Sequence, residues 1–258
     1  GAPRKTAAAG AATPVSGTVS PAKSVPSKPA RSPEEEIALP THSIAGKVHI
    51  AAGETQAMEL VAEAMKRTSA AYPGITFELY SGTSADLMDN FVRGFYDFLL
   101  ECELRSHVDM HTLRLPHTDT WGLLVRRDNP LAAKAAVMPE DLLGQPLISS
   151  RQGVKVGVLG QWLGDLADEM DVRATYNLPL NAKFLVRQGI GSAFTYRGLF
   201  EANELSDLAF VPLSPTLEST QGLVWRKTLP TRQAQAFLDT LKGLCAERDF
   251  ENPPADAS

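Results

Sequence analysis

Apolar residues follow strand-like and helix-like spacing in turn, and this order predicts an α/β protein. Residues 47–52 are predicted to form a strand that ends at Gly53, and helical spacing begins at Thr55. Residues 75–79 alternate as a half-buried strand, the next helical pattern turns Val92 inward, and residues 95–100 form another apolar strand. The resulting strand–helix–strand–helix–strand order predicts a parallel sheet with crossover connections.

The same alternation returns in the second half of the chain and predicts a second α/β unit. After a short strand come a helix over residues 156–170 and another over residues 180–187, with Phe184 on its buried side. A strand over residues 221–226 and a closing helix over residues 231–247 are expected to return to the first unit.

Residues 121–150 lie between the two units and are interpreted as a hinge. An apolar strand pattern ends at residue 126, Asn129-Pro130 is a strong turn signal, and Pro139 can begin a short helix. The two units are therefore expected to face each other across a cleft, with a gap between their sheets.

Composition sets the first 45 residues apart. Ala, Pro, Ser, Thr and Lys dominate residues 1–33, which predicts a disordered leader or linker. The net charge of −5 does not favour a nucleic-acid surface. The chain shows neither a membrane-length apolar run nor a signal-peptide pattern. We therefore expect a cytoplasmic protein with no membrane partner, in which Cys102 and Cys245 are reduced.

Catalytic and metal-binding patterns are missing from the sequence. His107 and His111 are four residues apart, but their segment alternates like a strand, so a shared helix face and a zinc site are not expected. Gly189 and Gly191 lack the third glycine of a dinucleotide fingerprint. Cys102 stands between two glutamates that would raise its pKa, which favours a structural thiol. We expect neither an enzyme nor a cofactor.

The starts of the predicted helices supply the candidate ligand site. In open α/β sheets, ligands bind beyond the carboxyl ends of the strands, where free backbone N–H groups favour anions. The sequence predicts a small anionic metabolite in the cleft, with Arg151 as its charge partner. The candidate effector-binding residues occupy four turns, two from each unit: Glu54, Thr55, Gln56, Ser81, Gly82, Thr83, Ser84, Ser149, Ser150, Arg151, Gln152, Thr195 and Tyr196.

Alternatives stay open for several of these residues. Thr55 and Thr83 can cap helices whether or not a ligand binds. Arg151 can pair with Asp165 or Asp168, or simply face water. Glu54 at the mouth of the cleft disfavours an anion.

Six segments resemble the effector-binding domains of LysR-type transcriptional regulators. The first three are YPGITFELYSG at residues 72–82, GFYDF at 94–98 and WGLLVRRDNPLA at 121–132. The other three are PEDLLGQPLI at residues 139–148, LVRQGIGSAF at 185–194 and LVWRK at 223–227. Each motif is weak alone, but their order and spacing are specific, and together they cover about residues 46–246.

The resemblance implies a periplasmic-binding-protein-like fold of two Rossmann-like subdomains joined by two crossover strands. It implies one subdomain from residues 46–125 and 222–250, and the other from residues 126–221, with crossings near 121–126 and 221–226. It also implies a homodimer or tetramer that pairs through the first subdomain. The candidate surfaces are the helices over residues 55–70 and 231–247, or the strand edge near residues 95–100.

The family reads DNA through a winged helix-turn-helix, and no matching pattern precedes Gly46, so DNA binding is expected only through a domain missing from this chain. A second interpretation, from another class of protein, stays open: the chain is a periplasmic or lipid-anchored solute-binding protein of a transporter.

Overall fold

The computed structural model describes residues 44–151, 153–200 and 207–251. They all belong to one structural unit, Pro40–Ser258. Nearly all of the predicted leader, residues 1–45, therefore lies outside the described residues, and so does the candidate site residue Gln152. No helix in the described ranges is both long and apolar enough to cross a membrane.

The first lobe is a sheet flanked by helices. Strand β1 pairs in parallel with β2 and β3, as the sequence predicts, and β9 pairs antiparallel with β3. The long helix α5 packs against α1 and β1, so the predicted return of the chain to the first unit is confirmed. The bounds are β1 Ala45–Ala52, α1 Met58–Ala71, β2 Gly74–Ser81, α2 Ser84–Val92, β3 Phe98–Glu101, β9 Glu218–Arg226 and α5 Arg232–Glu251.

The second lobe repeats this plan with shorter helices. Strand β5 pairs in parallel with β6 and β7. The predicted helix over residues 156–170 is divided at Gly164, where φ is +55° and a 3-10 turn, Gly164–Glu169, replaces the α-helix. The bounds are β5 Pro146–Ser150, α3 Gly157–Leu163, β6 Asp171–Tyr176, α4 Ala182–Arg187, β7 Ser192–Tyr196 and β8 Leu208–Pro212.

The long strand β4 (Met110–Arg126) runs through both lobes, and β9 takes the chain back from the second lobe to the first, so β4 and β9 are the crossing strands. Its first part pairs with β9, and the register shifts between Arg114 and Thr118. Its last part, from Trp121 onwards, pairs with β7 and β8 of the second lobe. The crossing on β4 thus precedes the predicted position at residues 121–126. The division at residue 125 stays a prediction, and these pairings favour a boundary before Trp121.

The sheet is continuous along the order β2-β1-β3-β9-β4-β7-β5-β6, with β8 beside β4, because β4 belongs to both lobes. The apolar cores are nevertheless separate. Phe98, Leu223 and Phe237 belong to the main core of the first lobe. Leu123 and Phe194 belong to the main core of the second lobe. The predicted gap between the sheets is therefore wrong along β4 itself, and the two-lobed architecture holds.

Three apolar side chains predicted to be buried face solvent. Val92 is 57% exposed, since it is the last residue of α2, and Phe95 follows in the loop before β3. Phe184 is 51% exposed, because the short helix α4 buries its opposite face through Ala182 and Val186, which are four residues apart.

Gly122 on β4 is a position where packing requires glycine. A Cβ there would lie 2.1 Å from Cζ of Phe210 and 2.7 Å from the carbonyl oxygen of Val211. We expect Gly122→Ala to lower the free energy of unfolding by about 1–3 kcal/mol through overpacking. Gly243 in α5 is the matched control, because its Cβ would meet no atom within 4 Å.

We expect Gly243→Ala to raise the free energy of unfolding by about 0.5–1 kcal/mol through helix propensity. Urea denaturation of both variants measures the two changes. Equal changes in the two variants would contradict the packing described around β4.

Candidate functional site

A cavity of about 100 Å³ lies between the lobes, at the carboxyl ends of several strands. Trp121, at the point where β4 enters the second lobe, is one of its lining residues. The cavity brings together seven of the residues predicted from the sequence, from all four predicted turns and thus from both lobes: Glu54, Gly82, Thr83, Ser84, Ser150, Thr195 and Tyr196.

Four further candidates do not line this cavity. Thr55 and Ser81 line a neighbouring pocket, which also contacts Glu54. Gln56 is exposed, and its side chain packs against Gly198. Ser149 is completely buried beneath the end of β5, and its hydroxyl has no hydrogen-bond partner among the described residues.

Arg151 is not one of the residues that line the cavity. Its backbone N–H donates to the carbonyl oxygen of Tyr176 at 2.8 Å, which extends the β5–β6 pairing, and its side chain is exposed. Asp168, an alternative partner for Arg151, pairs with Lys155 instead. Arg105 is the arginine that lines the cavity.

The segment after β3 supplies site residues that the sequence reasoning missed. Cys102, Glu103 and Arg105 all line the cavity. A signal for them was available, because a charged stretch directly follows a completely buried apolar strand. No helix begins directly after β3, and candidate residues were sought at the starts of helices. The residues after β3 were therefore missed.

Helix capping was left open for two threonines: Thr83 caps its helix, whereas Thr55 does not, because the N-cap of α1 is Ala57 and no side chain caps that helix. Thr83 is the N-cap of α2 and accepts a hydrogen bond from the backbone N–H of Asp86 at 3.2 Å. The Thr55 hydroxyl accepts from the N–H of Ala57 at 3.1 Å and donates to the carboxylate of Asp119. Thr83 therefore both caps a helix and lines the cavity.

Two glutamates make the cavity acidic. Burial raises the pKa of Glu54, and hydrogen bonding to the backbone N–H of Leu180 opposes this rise. Burial likewise raises the pKa of Glu103, against the charge of Arg105 and the N–H of Val158. Both glutamates come from the first lobe, while Leu180 and Val158 belong to the second. The carboxylates therefore occupy backbone N–H groups that an anion would need.

Cys102 is a protonated thiol near neutral pH. Burial raises its pKa strongly, and the charge of Asp119 and then that of Glu103 raise it further. The sequence expectation for the direction of this shift is confirmed. Cys102 and Cys245 are both free thiols.

Hydrogen bonds tie the crossing strands to the cavity. Asp119 on β4 is 2% exposed, accepts from Thr55, and lies 3.0 Å from Nε2 of His117. Nε1 of Trp121 donates to the hydroxyl of Ser219 on β9 at 2.8 Å. The ring of Trp121 also packs against that of Tyr196, with centroids 4.5 Å apart. Motion at the crossing would therefore shift side chains that line the cavity.

Two α/β lobes, a shared crossing strand and a cavity lined by residues of both lobes define a ligand-binding domain of the periplasmic-binding-protein type. Residues 41–246 match the family described as the LysR substrate binding domain. The chain belongs to this family and is the effector-binding domain of a LysR-type regulator. The sequence left open two classes, a regulator and the solute-binding protein of a transporter. The family match favours the regulator.

Solved structures with the same fold have distant sequences. The effector-binding domain of QuiR with shikimate is 13% identical, with a TM-score of 0.69 over 79% of this chain and 99% of that one. The CcmR regulatory domain from Synechocystis PCC6803 with 2-PG is 18% identical, with a TM-score of 0.64 over 81% and 99%. Full-length CbnR with its target DNA is 15% identical, with a TM-score of 0.59 over 78% and 71%. Among curated proteins, none matches this chain.

Proposed function

We propose that this domain binds its effector in the cavity between the lobes and reports it through the crossing strands. The observation that carries the proposal is that residues of both lobes and Trp121 line one cavity. A ligand held by both lobes stabilises the arrangement in which they are close, and so shifts the population of that arrangement. The candidate residues that line the cavity are proposed as the effector contacts.

Hydrogen bonds at the crossing connect residues near the cavity to the strands that cross between the lobes. Thr55 follows β1 beside the Glu54 turn, and its hydroxyl joins Asp119 on β4. Trp121 lies two residues further along β4 and is fixed to Ser219 on β9. An effector that displaces the Glu54 turn or the Trp121 ring therefore acts directly on both crossing strands.

The wider regulator is also part of the proposal. We place it in the cytoplasm, as a homodimer or tetramer that contacts DNA through another part of the protein. The strand edge near residues 95–100 does not suit subunit pairing, because β3 lies between β1 and β9. In the sheet order β2 is the terminal strand of the first lobe and therefore the better candidate.

The charges around the cavity do not support the anionic effector expected from Arg151. Arg151 is outside the lining, and Glu54 and Glu103 are inside it. Arg105 supplies one positive charge at the rim, where its side chain is exposed. The proposal of a small-molecule effector does not depend on the sign of its charge.

Filling the cavity with an indole ring tests its role. Ser150 ends β5 and lines the cavity, so we expect Ser150→Trp to weaken by at least about tenfold, or about 1.4 kcal/mol, the binding of any metabolite that stabilises the native chain. Thermal unfolding with a metabolite library finds such compounds, and calorimetry measures their affinity.

Ser106→Trp is the matched control, because Ser106 is exposed and does not line the cavity. We expect the control to keep the affinity of the native chain. Unchanged affinity in Ser150→Trp would place the effector elsewhere.

A further inference from the structure

We infer that the effector carries a protonated amine, which Glu54 and Glu103 recognise together, with the Thr195 hydroxyl as a further polar partner. This inference rests on the proposed function, because it concerns the same cavity. It replaces the anionic metabolite expected from the sequence and assigns Glu54 and Glu103 as the residues that select the effector by its charge.

The placement of the carboxylates is the first argument. Cys102 lines the cavity, and four carboxylates act on its thiol: those of Asp119, Glu103, Glu54 and Glu101. Like charges that converge on one partly buried point create a negative potential there, which attracts a cation and repels an anion.

The backbone of the second lobe gives the second argument. Glu54 faces the N–H of Leu180, and Glu103 faces the N–H of Val158. The Glu103 carboxylate also lies so close to Gly157 that a Cβ on this glycine would be 2.8 Å from Oε2. The protein's own carboxylates thus use the N–H groups that begin these turns. Each carboxylate can accept several hydrogen bonds, so it still has room for the N–H donors of an ammonium group.

A buried hydroxyl of a residue that lines the cavity has no hydrogen-bond partner among the described residues. Thr195 is 3% exposed and lines the cavity, and its Oγ1 has no hydrogen-bond partner among the described residues. A buried hydroxyl without a partner is costly, and native proteins pair such groups with protein, ligand or water. Thr195 stands on β7 of the second lobe and the two glutamates belong to the first, so polar side chains of both lobes line the same cavity.

Other charged groups near the cavity limit the positive charge that the ligand can carry. Arg105 acts on Glu103 and offsets part of its charge. Glu101 lies 2.9 Å from Nε2 of His107, and Asp119 is held by Thr55 and His117. Glu54 and Glu103 therefore remain as the carboxylates that line the cavity itself. A small molecule with one amine matches this set, and a carboxylate on the same molecule would face Arg105.

The sign of the pH dependence follows from the pKa shifts. Burial raises the pKa of both glutamates, and a bound ammonium group favours their charged forms. Binding of an amine therefore releases protons, and its affinity rises as pH increases through these raised pKa values. Binding of an anion would have the opposite pH dependence.

Four compounds of similar length test the inference: 1,4-diaminobutane, 4-aminobutanoate, succinate and 1,4-butanediol. Thermal unfolding of the whole chain is followed at equal ionic strength with each compound, and at two pH values on either side of the raised pKa values. We expect the two amines to raise the unfolding midpoint, more at the higher pH, and succinate and the diol to leave it unchanged.

Variants locate the effect. Glu54→Gln and Glu103→Gln keep a side-chain oxygen that accepts from the backbone N–H but remove the charge. We expect each to weaken amine binding by about tenfold. Glu140→Gln is the control, because Glu140 is exposed and does not line the cavity, so it reports general ionic effects.

Three outcomes would overturn the inference: stabilisation by succinate, amine effects that survive in both cavity variants, or no shift with any of the four compounds. The proposed function is judged separately by the metabolite library and Ser150→Trp. An anion that binds in the cavity would refute the amine and leave the sensor intact. A library without any ligand that responds to Ser150→Trp would refute both.

Discussion

Phe237→Ala is expected to lower the free energy of unfolding by about 3–5 kcal/mol, because it removes the aromatic centre of the first-lobe core. Phe237 on α5 is completely buried. Its ring lies 5.6 Å from that of Phe77 on β2 and 5.2 Å from that of Phe98 on β3, measured between centroids. The substitution therefore leaves a cavity between α5 and two strands.

Urea denaturation followed by circular dichroism measures this change. Leu229→Ala is the control, because Leu229 is 95% exposed, and we expect it to change the free energy by less than about 0.5 kcal/mol. A loss below about 1 kcal/mol in Phe237→Ala would contradict the packing of α5 onto the first lobe.

Asp119→Ala has the second largest expected effect, a loss of about 2–3 kcal/mol in the free energy of unfolding. Asp119 is buried on the crossing part of β4, and its removal leaves the Thr55 hydroxyl without its acceptor and His117 without its partner. The side chain of His117 is partly exposed, which reduces the cost below that of a completely buried ion pair.

A double-mutant cycle separates the hydrogen bond from the rest of the effect. Thr55→Val removes the donor with little change in shape, and Asp119→Asn removes the charge. We expect the two substitutions to interact by about 0.5–3 kcal/mol. Strictly additive effects would show that the Thr55–Asp119 contact does not couple the Glu54 turn to β4.

The strands that the sequence predicted best contain consecutive buried residues. Residues 50–52 of β1 and 147–149 of β5 are buried on both faces, as is typical of central strands, and the structure has β1 and β5 where the sequence predicts strands. The first half of β4 was harder to predict, because polar residues such as His111, Arg114 and His117 interrupt its alternation. That part runs along the crossing between the lobes, where one continuous apolar face is not needed.

The predictions of which helix face is buried were wrong where the helices are short. Phe184 fits an inward position in a helix over residues 180–187, but the α-helix covers only Ala182–Arg187. With fewer than two turns, the choice of buried face depends on the neighbouring strand, and Ala182 and Val186 fit it better. Local periodicity does not contain this tertiary preference.

The candidate site shows the same division between local and tertiary information. Strand ends followed by small polar residues identified Glu54, Ser150 and Thr195, because the position of ligands in open α/β sheets is general. Arg151 follows a strand end too, but the β5–β6 pairing continues through its backbone and leaves its side chain exposed. Glu103 depends on the approach of the second lobe to β3, which residue spacing does not contain.

Hydrogen–deuterium exchange is the most direct test of a ligand held between the lobes. The ligand for this experiment is a compound that raises the unfolding midpoint of the native chain and does not raise that of the Ser150→Trp variant. Binding is expected to protect backbone amides near Glu54 and Thr83 in the first lobe, and near Leu180 and Tyr196 in the second, at the same ligand concentration. Protection confined to one lobe would contradict the account.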